Sequence, residues 1–199
     1  VIRDWRRRAA ALALAGLVGC LGPGCSAERD AGSSQAGEEA AADPAPDFTL
    51  ERIGGDPVTL SALRGKTVII DFWATWCPPC EFQVPELNAF YKDHLATGQV
   101  AVLGVSVDTE GPDVVQAWIE EKGVEYPILL GGEQLARRFG AMGFPTLAVV
   151  DPDGNIASRH VGLIERDTLE AEVAEVQARF AERASEGAVE PESPEPGAG

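Results

Sequence analysis

Apolar residues follow two rhythms along this chain. Over Thr67–Trp73 they are nearly continuous, rich in Val and Ile, and broken only by Asp71. Such a run predicts a strand buried on both faces. A second run, Val100–Val107, reads the same way, and shorter ones at Pro127–Leu130, Leu147–Val150 and Ile156–His160 read as further strands. The last two are joined by Asp151-Pro152-Asp153-Gly154-Asn155, a hairpin turn. Phe48–Leu50 and Val58–Leu60 flank Gly54-Gly55-Asp56-Pro57 and predict an N-terminal hairpin, after which Ser61 is placed to cap a helical turn before Gly65. Between the strands the apolar period changes to that of a helix. Val84, Leu87, Tyr91 and Leu95 form one stripe, with Pro85 inside the helix and Gly98 at its end. Val115, Trp118 and Ile119 form the inner face of a helix over Pro112–Lys122, stopped by Gly123. Glu133–Phe139 is a short helix, and Leu169, Val173, Val176 and Phe180 mark a final one over Glu165–Arg183. The alternation predicts an α/β fold: a central mixed sheet with helices on both faces.

The two ends of the chain have a different character. Arg3, Arg6, Arg7 and Arg8 precede an Ala/Leu-rich stretch that is too short to span a bilayer comfortably and ends in Leu17-Val18-Gly19-Cys20. This pattern reads as a lipoprotein signal peptide over residues 1–19, with Cys20 the lipidated first residue. Two acyl chains on Cys20 would give the double attachment that a single chain lacks. Cys25 has no Leu three residues before it and receives no role. Residues 20–45 are mostly Ala, Gly, Ser and Glu and read as a flexible tether; residues 184–199 read as a disordered acidic tail. One domain is expected between them, over residues 46–183. With 16 basic and 32 acidic side chains the net charge is −16, which excludes a nucleic-acid partner and adsorption to anionic lipid.

The chemistry-bearing stretch is Trp76-Cys77-Pro78-Pro79-Cys80, between the first buried strand and the first long helix. The first turn of a helix carries unpaired N–H groups and the positive end of the dipole, so a Cys77 thiolate is stabilised there. Pro78 suits the first helical position, and Cys80 returns one turn on to the same face. A zinc site needs further ligands, whereas Cys20 and Cys25 lie far upstream and His94 and His160 stand alone, as surface or turn residues. A purely structural disulfide across three residues would constrain little chain. A redox dithiol is the reading that remains. Asp71, inside the buried run, is expected to have a raised pKa.

Asp71-Phe72-Trp73-Ala74 followed by Trp76-Cys77-Pro78-Pro79-Cys80 resembles the thioredoxin active site. Pro46-Asp47-Phe48-Thr49-Leu50 and Leu63-Arg64-Gly65-Lys66 resemble the membrane-anchored, extracytoplasmic TlpA-like oxidoreductases. The resemblance implies a thioredoxin-like fold with an inserted helix–strand unit. It implies Asp71 as the base for Cys80, and Pro145 as a cis-proline facing the disulfide. Phe144 would then offer its backbone to an extended substrate, with Trp76 as an apolar contact beside Cys77. Many TlpA-like reductases have Asn at the Asp71 position and Glu where this chain has Gln83, so the proton relay is closer to thioredoxin's.

The expected protein is a lipid-anchored, extracytoplasmic thiol–disulfide oxidoreductase. It uses no metal and no cofactor beyond its dithiol. Its partners are protein disulfides and a membrane or extracytoplasmic electron donor, and the resemblance offers cytochrome c apoproteins as clients. Two alternatives are a peroxiredoxin-like peroxidase and a copper-binding chaperone of the same fold. The peroxidase would need Thr three residues before the reactive Cys, and Thr75 is two before Cys77; the copper proteins space their cysteines one residue wider. The direction of transfer follows from Pro78 and Pro79, which donate nothing to a Cys77 thiolate. A less stabilised thiolate means a more stable disulfide, hence a reductant.

Overall fold

The computed structural model describes residues 42–187. The predicted signal peptide, Cys20, Cys25 and most of the tether and tail lie outside the described residues. Two boundaries differ from the expectation. The segment placed at the end of the tether is tied down: the N–H of Ile156 donates to Asp43 O (2.7 Å) and that of Ala45 to Gly154 O (3.0 Å). The last helix also runs on through Gly187, into the segment assigned to the tail.

The elements are β1 (Thr49–Leu50), β2 (Val58–Thr59), β3 (Thr67–Trp73), α1 (Pro78–Leu95), β4 (Val100–Ser106), α2 (Pro112–Lys122), β5 (Ile128–Leu130), α3 (Glu133–Arg138), β6 (Thr146–Val150), β7 (Ile156–Val161) and α4 (Arg166–Gly187). β1 and β2 pair as a separate small hairpin, and the other strands form one sheet in the order β5-β4-β3-β6-β7. β3, β4 and β5 are parallel; β6 runs against them, and β7, antiparallel to β6, returns to their direction. The sheet is mixed, as the alternation of periods predicts, and β3 lies at its centre, buried at all seven positions.

Chain direction decides what covers each face. The β3–α1–β4 and β4–α2–β5 crossovers step the same way across the sheet, and right-handed connections then put α1 and α2 on one face. The side chains agree. Asn88 of α1 donates to Gly123 O and accepts from the Glu125 N–H at the end of α2 (2.8 and 2.9 Å). Side chains alternate along β3. Trp73 stacks on Trp118 of α2, with centroids 4.4 Å apart. Ile69 and Asp71 therefore face the same way. Val68, Ile70 and Phe72 face the opposite layer, where Phe72 meets Phe139 (5.2 Å) and Phe139 meets Phe48 (6.2 Å).

Three local expectations are corrected. Ser61 does not cap. It lies inside the 3₁₀ turn Leu60–Leu63, which has no side-chain cap of its own, and its N–H donates to Asp47 Oδ1 (2.9 Å). Hydrogen bonds from Ser61 hold the Asp47 carboxyl below its ordinary value. The α1 stripe runs differently from the apolar pattern: Gln83, Val84, Leu87 and Phe90 are buried, Tyr91 is half-buried and Leu95 is exposed. Finally, His94 and His160 are not free surface residues. Each binds a carboxylate of α4, His94 with Glu170 (2.8 Å) and His160 with Glu172 (2.6 Å), and so they pin α4 to α1 and to β7.

Candidate active site

The β3–α1 loop is four residues long and puts Cys77 in the N-cap position of α1, with extended backbone (φ −101°, ψ 95°) and Pro78 next. Cys77 and Cys80 are joined in a disulfide, Cα atoms 5.4 Å apart, and the Cys80 N–H donates to Cys77 O (3.0 Å). Both cysteines are buried, while Pro78, Pro79 and Trp76 around them are exposed. Trp76 is 56 % exposed. It meets Phe144 edge-on, ring centroids 5.8 Å apart.

Phe144 precedes Pro145, and the peptide between them is cis, as the resemblance implied. The loop is secured on both sides: the Thr146 hydroxyl donates to Gly143 O (2.7 Å), and the Gly162 N–H to Pro145 O (2.9 Å). Beyond Gly162, Ile164 exchanges two hydrogen bonds with the buried side chain of Gln83 (2.9 and 3.0 Å). Gln83 thus ties α1 to the segment after β7, whose Gly162 N–H braces the cis-proline loop. A cleft of about 110 Å³ between α3 and this loop is lined by Arg137, Ala141, Met142 and Phe144.

Asp71 is 2 % exposed, on the face of β3 that α1 and α2 cover. Burial pushes its carboxyl up to about 7, because the charged form loses its hydration and gains nothing in exchange. Its Oδ1 and the indole Nε1 of Trp73 are buried and have no hydrogen-bond partner among the described residues. A carboxyl this buried does not hold its head in water. Tyr126 closes this pocket; burial and the negative charge of Asp71 raise its hydroxyl well above the ordinary value. The room comes from Gly104, the cross-strand partner of Asp71. A Cβ there would stand 3.0 Å from both Trp73 Nε1 and Tyr126 Cε2. Neither Tyr126 nor Gly104 was singled out by the sequence, since a Tyr after a helix and a Gly in a strand carry no signal for one another.

A second carboxylate, also unread in the sequence, holds the loop from below. Asp108 follows β4, and the N–H of Thr75 donates to both of its oxygens (3.1 and 3.1 Å). The Thr75 hydroxyl donates to Oδ1 (2.6 Å) and the Ser106 hydroxyl to Oδ2 (2.8 Å). Its signal in the sequence was slight: a Ser-x-Asp at the carboxyl end of a parallel strand, where sites of α/β sheets gather.

The fold therefore brings Trp76, Cys77, Cys80, Phe144 and Pro145 to one end of the sheet, with Asp71 on the strand that leads into them. Cys20 lies outside the described residues. These features match known proteins. The model of the AhpC/TSA family matches residues 41–159. The chain belongs to that family. It is 30% identical to the thiol-disulfide oxidoreductase ResA of Bacillus thuringiensis (strain Al Hakam) over 162 residues, 80% of this chain and 88% of that one. It is 29% identical to the thioredoxin-like protein YneN of Bacillus subtilis (strain 168) over 63% of this chain and 74% of that one. Among solved structures it is similar to a putative thiol:disulfide interchange protein DsbE from Chlorobium tepidum. The TM-score is 0.61 and the identity 31%, over 68% of this chain and 96% of the other. The fold is thioredoxin-like, and the dithiol and the relatives agree on thiol–disulfide exchange as the activity. Among the described residues no helix is long and apolar enough to cross a membrane.

Proposed function

We propose that this family member is a lipid-anchored, extracytoplasmic reductase of protein disulfides. The observation that carries the reading is the Cys77–Cys80 pair at the start of α1, downstream of a buried, unpartnered carboxyl on β3. In the reduced protein the Cys77 thiolate attacks one sulfur of a client disulfide. A mixed disulfide forms, and the client's other sulfur leaves as a thiolate. Asp71 takes the proton of the Cys80 thiol. The Cys80 thiolate then attacks Cys77 Sγ, closes the intramolecular disulfide and expels the second client sulfur. A carboxyl with a pKa of about 7 suits this work, because at neutral pH it accepts and releases a proton with little bias. Gln83, in a position where related reductases carry Glu, is spent on Ile164 and leaves Asp71 as the acid–base group.

The client binds across the exposed edge of Trp76 and Phe144, with an extended segment against the backbone before Pro145. Clients with paired cysteines, such as cytochrome c apoproteins, fit this chemistry. A membrane or extracytoplasmic dithiol donor would return two electrons to the Cys77–Cys80 disulfide. Leu17-Val18-Gly19-Cys20 supports attachment of the chain to the outer side of a membrane through Cys20.

Direction is tested by equilibrating the protein in glutathione buffers of graded ratio. A midpoint below about −200 mV is expected, on the reducing side of protein disulfide isomerase; one above about −150 mV would make it an oxidase. Anchoring is tested with Cys20→Ala, which should release the protein from membranes and leave its midpoint unchanged. Membrane association that survives this change and high salt overturns the anchor.

A further inference from the structure

Thr75, Ser106 and Asp108 form a closed cluster under the loop that carries Cys77, and the reaction described above does not use it. The Asp108 oxygens accept from the Thr75 N–H, the Thr75 hydroxyl and the Ser106 hydroxyl. The Asp108 N–H donates back to Ser106 Oγ (3.1 Å). The Ser106 carbonyl accepts the N–H groups of Gly131 and Gly132 (3.0 and 3.1 Å), so the cluster also joins the β5–α3 connection. Val107 N–H donates to Trp73 O (2.9 Å) and Cys77 N–H to Ala74 O (3.2 Å), so every residue from Trp73 to Cys77 except Trp76 is tied by its own backbone to the end of β4 or to the loop itself. The carboxylate is partly buried, and all its hydrogen-bonding partners among the described residues are neutral.

A carboxylate held this way does two things. Its three donors fix the backbone two residues before Cys77, which sets where Sγ stands relative to the first turn of α1. Its charge, with no cation in contact among the described residues, is also held on Thr75, two residues before a sulfur that must become negative. A like charge disfavours the thiolate. It thereby favours the disulfide over the dithiol and lowers the potential.

We propose that Asp108 is a positioning residue that biases the Cys77–Cys80 couple toward its disulfide, and so toward donating electrons, with Thr75 and Ser106 as the donors that hold it in place. This rests on the dithiol reading, and it concerns the tuning of that site rather than its existence. It also separates two kinds of influence. Thr75 and Ser106 act by geometry and by partly neutralising Asp108, whereas Asp108 acts by its charge. Variants of the two kinds should therefore move the couple in opposite directions.

The test uses Asp108→Asn and Ser106→Ala in the otherwise intact protein. Two quantities are read: the Cys77 pKa, from thiolate absorbance in the reduced protein, and the equilibrium in which the disulfide and two glutathione molecules become the dithiol and glutathione disulfide. Asp108→Asn keeps the shape of the side chain and removes the charge. The Cys77 pKa should fall, and the equilibrium constant for reduction should rise up to about tenfold, about 30 mV. Ser106→Ala leaves the charge and removes a donor, so the Cys77 pKa should rise and the constant fall about twofold. A Cys77 pKa and midpoint unchanged in Asp108→Asn would overturn the proposal. So would a shift of the same sign in both variants, which is the mark of a loosened loop. If Asp108→Asn does not fold, Ser106→Ala decides alone: a raised pKa supports the proposal, and a lowered or unchanged one sinks it. These comparisons are made against the unaltered protein, so they stand whatever its absolute midpoint proves to be; a failed reductase assignment and a failed role for Asp108 are distinct results.

Discussion

Two carboxylates stand near the active site, one on β3 and one just past its neighbour β4, and their surroundings are opposites. Asp71 lies in mid-strand on β3, 2 % exposed, with Oδ1 unpartnered. Asp108 lies just past the end of β4, partly buried, with three donors on its two oxygens. Burying an unpaired carboxylate is costly, and the group responds by holding its proton. Asp108 keeps its hydrogen bonds and part of its exposure to water. The same side chain is thus a desolvated, proton-holding group in one place and a hydrogen-bonded fastening in the other. The difference lies in the neighbours: Gly104 and the apolar layer under α1 give Asp71 nothing, whereas Thr75 and Ser106 surround Asp108.

The largest effect that can break this contrast is on stability. The gap between about 7 and the ordinary 3.8 for Asp71 corresponds to about 4 kcal/mol. Its sign follows from proton binding. Between these two values the folded state keeps a proton that the unfolded state has released, so stability falls as pH rises through the window and stays low above it. Asp71→Asn carries no such penalty. It should be more stable than the parent by up to about 4 kcal/mol at pH 8, with the advantage vanishing near pH 4. Urea titrations across this range check it, and an advantage that does not vary with pH would show that Asp71 is not the strained group described here.

The same variant should pay for its stability in rate. Loss of the acid–base group is expected to slow resolution of the mixed disulfide about 100-fold at neutral pH. Formation of the mixed disulfide, which uses Cys77, should change far less. Stopped-flow traces that show both steps slowed equally would remove Asp71 from the relay.

A smaller effect sharpens the contrast from the neighbour's side. In Gly104→Ala the new Cβ would collide with Ile128 Cδ1 and press against Trp73 and Tyr126. The crowding should cost about 1–3 kcal/mol, read in the same urea titrations; an unchanged midpoint would mean that this pocket has slack. The smallest expected change in stability is at the rim. Trp76→Ala removes an exposed ring and should alter stability by less than about 0.5 kcal/mol. It should nevertheless raise the KM for a protein client several-fold and leave the glutathione midpoint in place. Equal KM values would remove Trp76 from the client surface.

Much of this molecule is legible without coordinates. The bounds of β3 and α2 follow from apolar period and from punctuation by Pro112 and Gly123, the latter left-handed at φ 66°. Cys77 and Cys80 are legible because their chemistry depends on spacing and on the strand-to-helix step, both local. The burial of Asp71 is legible because a run of seven residues with one ionisable member leaves that member no other place. What the sequence does not contain is the identity of partners. Ser61 looks like a cap, but the interaction runs to Asp47, fourteen residues back. Gln83 interrupts the α1 stripe and is buried because Ile164, eighty-one residues on, offers both an N–H and a carbonyl. His94 and His160 read as solitary until α4 brings Glu170 and Glu172 to them, and Asp108 reads as a loop residue until Thr75 is folded over it. Local pattern determines which elements form and which faces are apolar, since burying apolar surface requires no particular neighbour. A polar group in the interior is stable only beside a specific donor or acceptor, and which one it meets is decided when distant segments pack.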